Sequence, residues 1–580
     1  MWDVLSARLA AHATRLATQA ARVRDNLRAA PARVRTSARM GQQSGLLWSM
    51  TKPGLRAVLR VLTSGSHNPS QLYRIHAKNS PSKPALIWRG RTTSFAELDE
   101  RIDRLSSGLV RRGVAARKSV ILMMRNRQEF VEVGAAATRA GAAAVAISWR
   151  STPQELLYLA KHSGARGIIL ELDLLPTLEA VKDELPEELL QNVFVVGGPG
   201  SSSSHRDGLR VTPYDELIEE PALQASVADP ALDADAAVVI YTSGTTGKPK
   251  GAVRKFPKDA LQAAFAFINE TPMRVDDVHL VTSPLYHSTA FGFMSLAHIL
   301  GQTVVLMDTF NPEAFLELVD RHGVTTSAVV PTMLHRVMEL PTETRRKYDA
   351  RTLRAVFTGG APLPAPLAID FMDAYGDVLF NFYGATETGL VTLAKPADLR
   401  AAPGTIGMPL PENEIRLIGE DGKDVPDGDV GELYVKNKML VAGYHDDEDA
   451  TKASMLGGFF SVGDLARRAP SGHYFIEGRK RDMVISGGVN VYPAEVEGVL
   501  EQHPDIAEVA VVGVPDREWG ERVRAFIVMK RGGTADEGTL KAFARERLAG
   551  PKVPRDYVFV ESLPRNATGK VLKRELRGMP

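Results

Sequence analysis

The chain has 580 residues, of which 44% are hydrophobic and 24% charged, a composition typical of globular proteins. This length predicts roughly three or four compact units, each able to bury its own core. The sequence contains no cysteine, which excludes disulfides, a thiol nucleophile, thiolate zinc sites and iron–sulfur clusters. Any sulfur chemistry must therefore use a thiol that the protein does not carry.

The formal net charge of +2 is unevenly distributed. Residues 1–60 hold 11 arginines and lysines against two aspartates, a net charge of +9, which leaves −7 for the rest of the chain. A mildly acidic body predicts no nucleic-acid partner. No apolar run approaches the ~18 residues that a membrane-spanning helix needs, so we expect a soluble, cytoplasmic body.

The start of the chain predicts a basic amphipathic helix. Its apolar positions recur every seven residues, at Trp2, Leu9, Leu16 and Val23, and arginines follow the same period. One interpretation is peripheral attachment of residues 1–60 to the inner, anionic face of a membrane or to a partner helix. The alternatives are a solvated extension without a specific role and a mitochondrial transit peptide. Residues 1–70 are assigned to this extension.

From about residue 85 the pattern predicts alternating strands and helices. A strand at 85–87 is followed by a helix from Ser94 to Leu109 and a strand at 120–123. Further continuous apolar runs are typical of parallel strands buried on both faces, at 238–240, 304–307, 328–330 and 355–357. Residues 197–204 predict a mobile surface loop. We therefore expect an α/β fold with parallel sheets in a large domain, residues 71–480.

After Gly478 the pattern indicates a smaller α+β domain, assigned to residues 481–580. Pro493 begins a predicted helix, and β-rich runs follow at 509–514 and 523–528. A second helix is predicted from Thr539 to about Leu548, before Gly550 and Pro551.

The strand at 238–240 leads into a loop suited to phosphate. Residues 241–251 (YTSGTTGKPKG) contain three glycines, four serine or threonine hydroxyls and two lysines. Glycines admit backbone N–H groups to a polyphosphate, hydroxyls donate and lysines neutralise charge. The loop differs from a P-loop because Pro249 follows Lys248 and disfavours a helix there. A plain glycine-rich turn is the less favoured alternative.

Two other predicted strands end in small or hydroxyl residues, at 358–363 (TGGAPL) and 381–389 (NFYGATETG). Ligands of open α/β sheets bind beyond the carboxyl ends of strands. Tyr383 can stack on a planar base, and Glu387 next to Thr386 suits Mg²⁺ beside phosphates. Alone, Glu387 would be interpreted as a solvated loop acid, but the phosphate loop favours the metal interpretation.

Five motifs occur in order: YTSGTTGKPKG at 241–251, YGATETG at 383–389, SVGDL at 461–465, GRKRD at 478–482 with SGG at 486–488, and PRNATGK at 564–570. Together they resemble the motif set of the adenylate-forming (acyl-activating, AMP-binding) superfamily, specifically its fatty-acyl-CoA synthetase branch. The resemblance covers roughly residues 70–576.

The resemblance implies a two-step ligase for a medium- or long-chain fatty acid. ATP and the carboxylate would give an acyl-adenylate and pyrophosphate, and CoA would then displace AMP to form a thioester. ATP, Mg²⁺ and CoA are therefore the expected cofactor set. A carboxylate attacking a phosphate brings two anions together, so a positioned lysine and a metal ion are needed.

The resemblance also implies residue roles. Lys570 would bridge the acyl carboxylate and the α-phosphate, Thr386 would contact the α-phosphate, and Glu387 would hold Mg²⁺. Asp464 and Arg479 would bind the ribose, and residues 242–250 would hold the β- and γ-phosphates. The expected ATP-binding residues are Thr242, Ser243, Gly244, Thr245, Thr246, Gly247, Lys248, Lys250, Gly360, Ala361, Tyr383, Gly384, Asp464 and Arg479.

The remaining implied roles concern domain motion and the acyl group. Arg481 would be the hinge of a mobile small domain, whose rotation would exchange Lys570 for a CoA tunnel formed by Ser486, Gly487 and Gly488. His287 would gate or orient the carboxylate, although a lone histidine is more often structural.

Two departures from the family pattern affect the acyl site and the ribose motif. Arg254, Lys255 and Phe256 replace a Ser/Thr-His pair, and Val462 replaces the threonine of Thr-Gly-Asp. The alternatives to a CoA ligase are a fatty-acyl-AMP ligase that loads a carrier protein and a non-enzymatic membrane scaffold. The complete set of site residues disfavours the scaffold.

Overall fold

The structure is a computed structural model, which describes residues 35–64, 68–197, 204–206, 209–219, 221, 237–242, 250–255, 258–385, 387–438, 440, 451–452, 454–486, 489–565 and 571–579. Four β-sheets organise these residues. Sheets A and B are largely parallel and lie in the large domain, sheet C is a smaller antiparallel sheet, and sheet D forms the small domain. The prediction of an α/β fold with a large parallel-sheet domain and a small C-terminal domain is confirmed.

Sheet A has nine strands, of which six neighbouring ones (β15, β14, β13, β11, β12 and β1) run parallel. In spatial order they are β17 (Met408–Pro409), β16 (Gly389–Ala394), β15 (Leu379–Ala385), β14 (Ala355–Thr358), β13 (Thr326–Val329), β11 (Val278–Val281), β12 (Thr303–Leu306), β1 (Pro84–Trp88) and β2 (Arg91–Ser94).

Sheet B has eight strands, with an antiparallel strand at each edge. In spatial order they are β10 (Lys250–Lys255), β9 (Ala237–Thr242), β4 (Ala143–Ala146), β3 (Ser119–Met123), β5 (Ala165–Glu171), β6 (Val193–Val196), β8 (Leu209–Pro213) and β7 (Ser204–Arg206). Every residue of β3 is buried, because helices cover both faces of a parallel sheet, and this explains its continuous apolar sequence.

Helices alternate with the strands of both sheets. Their starts follow local capping chemistry: Ser94 and Glu97 form a reciprocal capping box, as do Thr152 and Glu155. The described helices of the large domain and the residues before it are α1 (35–43), α2 (Leu46–Ser49), α3 (Lys52–Ser64), α4 (Gln71–Asn79), α5 (Phe95–Arg111), α6 (Gln128–Arg139), α7 (Pro153–Ser163), α8 (Leu175–Glu179), α9 (Glu187–Leu190), α10 (Asp215–Glu219), α11 (Lys258–Asn269), α12 (Ser288–Leu300), α13 (Pro312–His322), α14 (Pro331–Met338), α15 (Thr342–Arg346), α16 (Ala365–Tyr375) and α17 (Pro396–Ala401).

Sheet C was not predicted, since the sequence analysis assigned parallel α/β structure up to residue 480. Its strands are all antiparallel, and the burial of β19 alternates along the strand, as expected for a sheet with one covered face. The strands are β18 (Glu414–Ile418), β19 (Val430–Lys436), β20 (Met455–Leu456), β21 (Phe459–Arg468) and β22 (Tyr474–Arg479).

The small domain is built on sheet D, and a turn at Lys480–Asp482 joins it to sheet C. We propose the domain boundary in this turn. Asp536 caps a helix that begins two residues before the predicted Thr539 and ends at Arg545. The elements are β23 (Val484–Ser486), β24 (Val489–Val491), α18 (Pro493–Leu500), β25 (Ile506–Asp516), β26 (Gly520–Met529), α19 (Glu537–Arg545), β27 (Asp556–Phe559) and α20 (Lys573–Arg577).

Residues 36–44, which fall within the extension assigned to residues 1–70, pack on the large domain. Met40 is 3% exposed, in a cluster with Phe267 and Phe293. The Asn269 side chain donates to Thr36 O at 3.1 Å, and the Val275 N–H donates to Ser44 O at 2.9 Å. The seven-residue repeat of residues 2–23 and most of the loop predicted at 197–204 lie outside the described residues. Among the helices that the structure describes, none is long and apolar enough to cross a membrane.

Candidate active site

Two adjacent parallel strands, β14 and β15, bring their carboxyl ends to one edge of sheet A. Gly360 follows β14 with a φ of +77°, and no neighbouring heavy atom lies within 4 Å of the position a Cβ would occupy. A glycine is favoured by this left-handed backbone, and its exposed surface, together with Ala361, lines a cleft. The two residues therefore present backbone and open space at the cleft.

Tyr383, Asp464 and Arg479 form one cluster across sheets A and C, joined by a hydrogen bond and an ion pair. The Tyr383 hydroxyl donates to Asp464 Oδ2 at 2.7 Å, and Arg479 Nε lies 3.1 Å from Asp464 Oδ1. Burial raises the pKa of the Tyr383 hydroxyl well above its ordinary value, and the Asp464 carboxylate raises it further. The hydroxyl is therefore a permanent donor, and it holds the carboxylate of Asp464 in one orientation.

Asp464 and Arg479 are direct neighbours in the register of β21 and β22. Asp464 is 7% exposed and lines the cleft. A buried, oriented carboxylate beside a guanidinium is suited to binding vicinal hydroxyls.

The segment of residues 383–385 lies inside β15, whereas the sequence analysis ended that strand near Asn381. β15 pairs with β16 as a hairpin, and the Ala385 N–H donates to Thr388 Oγ1 at 3.0 Å. Gly384 is required by this pairing, since an added Cβ would lie 2.1 Å from Gly389 O. Thr386 lies outside the described residues.

Glu387 follows at the hairpin tip, is half-buried and lines the same cleft. No ion pair or hydrogen bond engages its side chain within the described part of the chain. Those residues also contain no group of three or more potential metal-ligating side chains. A single available carboxylate fits Mg²⁺, which is usually held by one or two carboxylates together with substrate phosphates and water.

The predicted phosphate loop joins β9 and β10, two antiparallel strands at the edge of sheet B, with Thr242 opposite Lys250. The loop thus starts from a different sheet than β14 and β15. Residues 243–249, including Ser243, Gly244, Thr245, Thr246, Gly247 and Lys248, lie outside the described residues, as do the side-chain positions of Thr242 and Lys250.

The small domain contributes to the same cleft. Arg565 and Val571 pair in a β-bridge and both line the cleft, so they flank residues 566–570, which carry Lys570 and lie outside the described part. Ser486 ends β23 and is 2% exposed, whereas Gly487 and Gly488 are not described. Arg481 lies in the turn between the domains, where Arg577 Nη2 donates to its carbonyl at 3.4 Å.

His287 lies at the N-terminus of α12, where its backbone N–H donates to Pro284 O at 3.0 Å. Its ring centroid is 4.2 Å from that of Tyr286. The cleft continues past His287 along apolar side chains that include Phe291 and Met294 of α12 and Phe265 of α11. The structure therefore connects the polar residues of sheets A and C with an apolar compartment.

Asn126 is a positioning residue that the sequence analysis missed. Its side-chain amide donates to Ser283 O at 2.9 Å and to Met307 O at 3.0 Å, and its Oδ1 accepts from the Leu285 N–H at 2.8 Å. Asn126 is 2% exposed and so fixes the segment that leads to His287. Its place just beyond the end of β3 was a usable signal, because ligand-site residues favour the carboxyl ends of parallel strands.

Comparisons with known proteins agree with this geometry. Residues 73–445 match the AMP-binding enzyme family, and residues 495–570 match the AMP-binding enzyme C-terminal domain. The chain therefore belongs to the AMP-binding enzyme family, the adenylate-forming superfamily.

Among curated relatives, the chain is 34% identical to an indoleacetate–CoA ligase of Aromatoleum aromaticum, over 87% of this chain and 96% of the relative. It is 31% identical to the fatty acid–[acyl-carrier-protein] ligase ScoC of Streptomyces coeruleorubidus, over 87% and 95%. Among solved structures, it resembles the anthranilate CoA ligase AuaEII in complex with anthranoyl-AMP, with a TM-score of 0.80 and 26% identity over 88% of this chain and 97% of that one.

These matches confirm the superfamily and the prediction of an enzyme. The class is that of acid–thiol ligases, which use ATP, Mg²⁺ and CoA. The relatives also include feruloyl-CoA synthases and 2-succinylbenzoate–CoA ligases, so they do not single out the fatty-acyl branch that the motifs suggested.

Proposed function

We propose that this protein is an ATP-dependent acyl-CoA ligase for an apolar carboxylic acid, a fatty acid of medium or long chain. The observation that carries this proposal is that one cleft is lined by Asp464, Glu387 and His287, by apolar side chains of α11 and α12, and by Leu47. A compact acid would not need an apolar path that extends to the residues preceding the large domain.

The first half-reaction is assigned to groups on both domains. Asp464 and Arg479 bind the ribose hydroxyls, Tyr383 packs beside the adenine, and the 242–250 loop binds the β- and γ-phosphates. Glu387 would hold Mg²⁺, which supplies positive charge beside the phosphates when bound. Lys570 neutralises the approaching carboxylate and the α-phosphate, and Thr386 contacts the same phosphate.

The second half-reaction requires the acyl-adenylate to meet a thiol. We assign the change to rotation of the small domain about Arg481, which withdraws Lys570 and brings residues 486–488 to the CoA thiol. Supporting this, the turn at Lys480–Asp482 joins sheets C and D and passes beside the cleft. The absence of cysteine agrees with a reaction whose sulfur arrives on the substrate.

Two other acceptor and substrate choices have specific support. The indoleacetate and feruloyl relatives favour an aromatic acid, and the ScoC relative favours transfer to a carrier protein after adenylation. A non-enzymatic scaffold is disfavoured because the described site keeps the oriented Asp464 carboxylate and the available Glu387.

The test is a matrix of acids and acceptors with the purified full chain, ATP and Mg²⁺. Octanoate, palmitate, indoleacetate and ferulate are each supplied with CoA or with a phosphopantetheinylated carrier protein, and AMP and thioester are measured. We expect the fatty acids to exceed the aromatic acids at least ~10-fold in kcat/KM, a difference of about 1.4 kcal/mol, with CoA as acceptor. Higher kcat/KM for the aromatic acids, or AMP release without acyl-CoA, would sink this assignment.

Cytoplasmic localisation with peripheral attachment of residues 1–60 to a membrane, and the alternative of mitochondrial targeting, also remain proposals. The net charge of +9 in these residues supports the first. A deletion of residues 1–60 would be a poor test, because Met40 and Ser44 are buried against the large domain.

A further inference from the structure

Helices α2 and α3 expose several large apolar side chains. Leu47, Trp48, Leu55 and Leu59 are 55%, 80%, 52% and 51% exposed. Single exposed leucines are common on proteins, but four large apolar side chains within 13 residues mark an interaction surface. We call this surface the 47–60 face; it consists of Leu47, Trp48, Lys52, Leu55, Arg56, Leu59 and Arg60.

The opposite side of α3 anchors the helix, which leaves the 47–60 face outward. Gly54 is buried so closely that an added Cβ would lie 2.3 Å from Asn79 Oδ1, and Val58 and Val61 are half-buried. The Thr51 N–H donates to Asn79 Oδ1 at 2.7 Å and fixes the start of α3. Leu55 and Leu59 are four residues apart and therefore lie on one side of α3, with Arg56 and Arg60 beside them.

The charge of this segment is one-sided. Residues 35–64 contain five arginines and lysines and no acidic residue. Lys52 and Arg56 are exposed and make no ion pair with any residue that the structure describes. Apolar side chains with an exposed tryptophan, flanked by cations, are the composition of helices that lie in the interface of an anionic bilayer.

The 47–60 face lies where the cleft reaches the surface. Leu47 lines the cleft although more than half of its area is exposed, and Met50, Val58 and Val61 line it as well. His287 and Phe291 line the same cleft. A ligand on the 47–60 face would therefore be next to an apolar entrance.

We propose that the 47–60 face docks onto the anionic surface of a lipid bilayer and so sets the entrance of the cleft against the acyl-chain region, from which the acid enters. The entry step rests on the proposed acyl-CoA ligase function, whereas the docking step does not. Charge argues against the other occupants: residues 1–34 carry six arginines against two aspartates, a net +4, and a second copy of the face is equally positive.

The test uses the full chain with vesicles of phosphatidylglycerol and phosphatidylcholine, and with phosphatidylcholine alone. One variant is W48S/L55S/L59S and the other is K52E/R56E, all at exposed positions that leave the core intact. Matched controls are M455S/L456S, at positions 42% and 39% exposed, and K530E/R531E, at exposed cations of the small domain. Vesicle affinity is measured by flotation, and turnover is measured with palmitate in vesicles and with dissolved octanoate.

We expect both face variants to weaken binding to anionic vesicles at least ~10-fold while the controls bind as the parent does. Turnover of palmitate in vesicles should fall at least ~5-fold, with octanoate turnover unchanged, because only the first acid is delivered by the bilayer. Unchanged vesicle binding by either face variant overturns docking. Docking is also overturned if the parent protein sediments as an oligomer and the face variants do not, since the face would then be a contact between copies of the chain. Weaker binding with unchanged palmitate turnover overturns entry from the membrane. A parent that binds vesicles through this face but forms no thioester would refute the proposed function and leave docking standing.

Discussion

The two ends of the cleft are built on different physical principles. At the end around Asp464, assigned to the nucleotide, side chains hold one another by short polar contacts, as in the Tyr383 to Asp464 hydrogen bond of 2.7 Å. Around His287, in the part assigned to the acyl group, apolar side chains such as Phe291 line the cleft, and the buried amide of Asn126 fixes the backbone behind them. A charged ligand needs charged groups that are already oriented, whereas an apolar ligand needs a surface of matching shape.

The largest effect is expected from Lys570→Ala, which removes the cation assigned to the point where two anions meet. Adenylation, measured by pyrophosphate exchange, should fall about 100- to 1,000-fold, while thioester formation from supplied acyl-adenylate should persist. The control is Lys573→Ala, since Lys573 pairs with Glu497 at 2.7 Å and should leave adenylation nearly unchanged. Equal losses of adenylation in both variants would mean that Lys570 acts only as one of several cations near the C-terminus.

Asp464→Ala sharpens the nucleotide half of the comparison. It removes the partner of both Tyr383 and Arg479, and hydrogen bonds to a charged group are worth about 1.5 to 3 kcal/mol. The KM for ATP should therefore rise about 10- to 100-fold, with a small change in the KM for the acid. Tyr383→Phe removes only the orienting hydroxyl and should raise the KM for ATP less. An unchanged KM for ATP in Asp464→Ala would show that this carboxylate does not contact the ribose.

Asn126→Ala probes the acyl half. The change leaves the buried Ser283 and Met307 carbonyls without their amide donor, which should cost about 2 to 4 kcal/mol of folding free energy. The KM for the acid should rise more than the KM for ATP. Asn192→Ala is the matched control, since Asn192 Nδ2 donates to Arg166 O at 3.0 Å and to Arg112 O at 3.2 Å, away from the cleft. Both variants should lower the thermal midpoint of unfolding. If the KM for the acid also rises in Asn192→Ala, the effect of Asn126→Ala comes from lost stability and not from a changed acyl site.

At neutral pH the smallest effect is expected from the buried histidines around α12, whose contribution to stability changes only towards acidic pH. Burial lowers the pKa of His76 and His279 to about 4 and that of His298 to about 3. These rings are neutral in the folded protein, so the unfolded chain binds more protons below its ordinary histidine pKa of about 6.5. Stability is therefore complete above pH ~7 and falls as the pH drops towards about 4, by on the order of 1 kcal/mol per histidine and pH unit.

Denaturant midpoints between pH 7.5 and 5 check this expectation. His279→Gln should flatten the slope, because one proton-uptake site of the unfolded chain is removed. Replacement of His322, whose pKa is also lowered by burial, should flatten it less because that ring is only half-buried. A slope that is the same in all three proteins would mean that acidic destabilisation originates elsewhere.

Several elements were predictable because their physical cause is local. The strand at 120–123 is buried on both faces and is therefore continuously apolar. Ser94 and Glu97 form a capping box that marks the start of α5. The glycine-rich segment at 241–251 predicted backbone approach to a phosphate, and this stays a prediction because residues 243–249 lie outside the described part of the chain. Sheet C was missed since its alternating strands contain glycines and charged residues and so lack the continuous apolar runs from which the other strands were predicted.

The sequence by itself determined the α/β class, the order of the five motifs and the chemical kinds of side chain available to the site. Only the tertiary structure decided which of them meet: β9 lies in sheet B and β14 in sheet A, Tyr383 reaches Asp464 across 81 residues, and Asn126 reaches Ser283 across 157. It also decided that residues 36–44 belong to the packed body. Periodicity and capping report interactions within a few residues, whereas strand neighbours and long-range hydrogen bonds depend on how the whole chain buries its apolar surface.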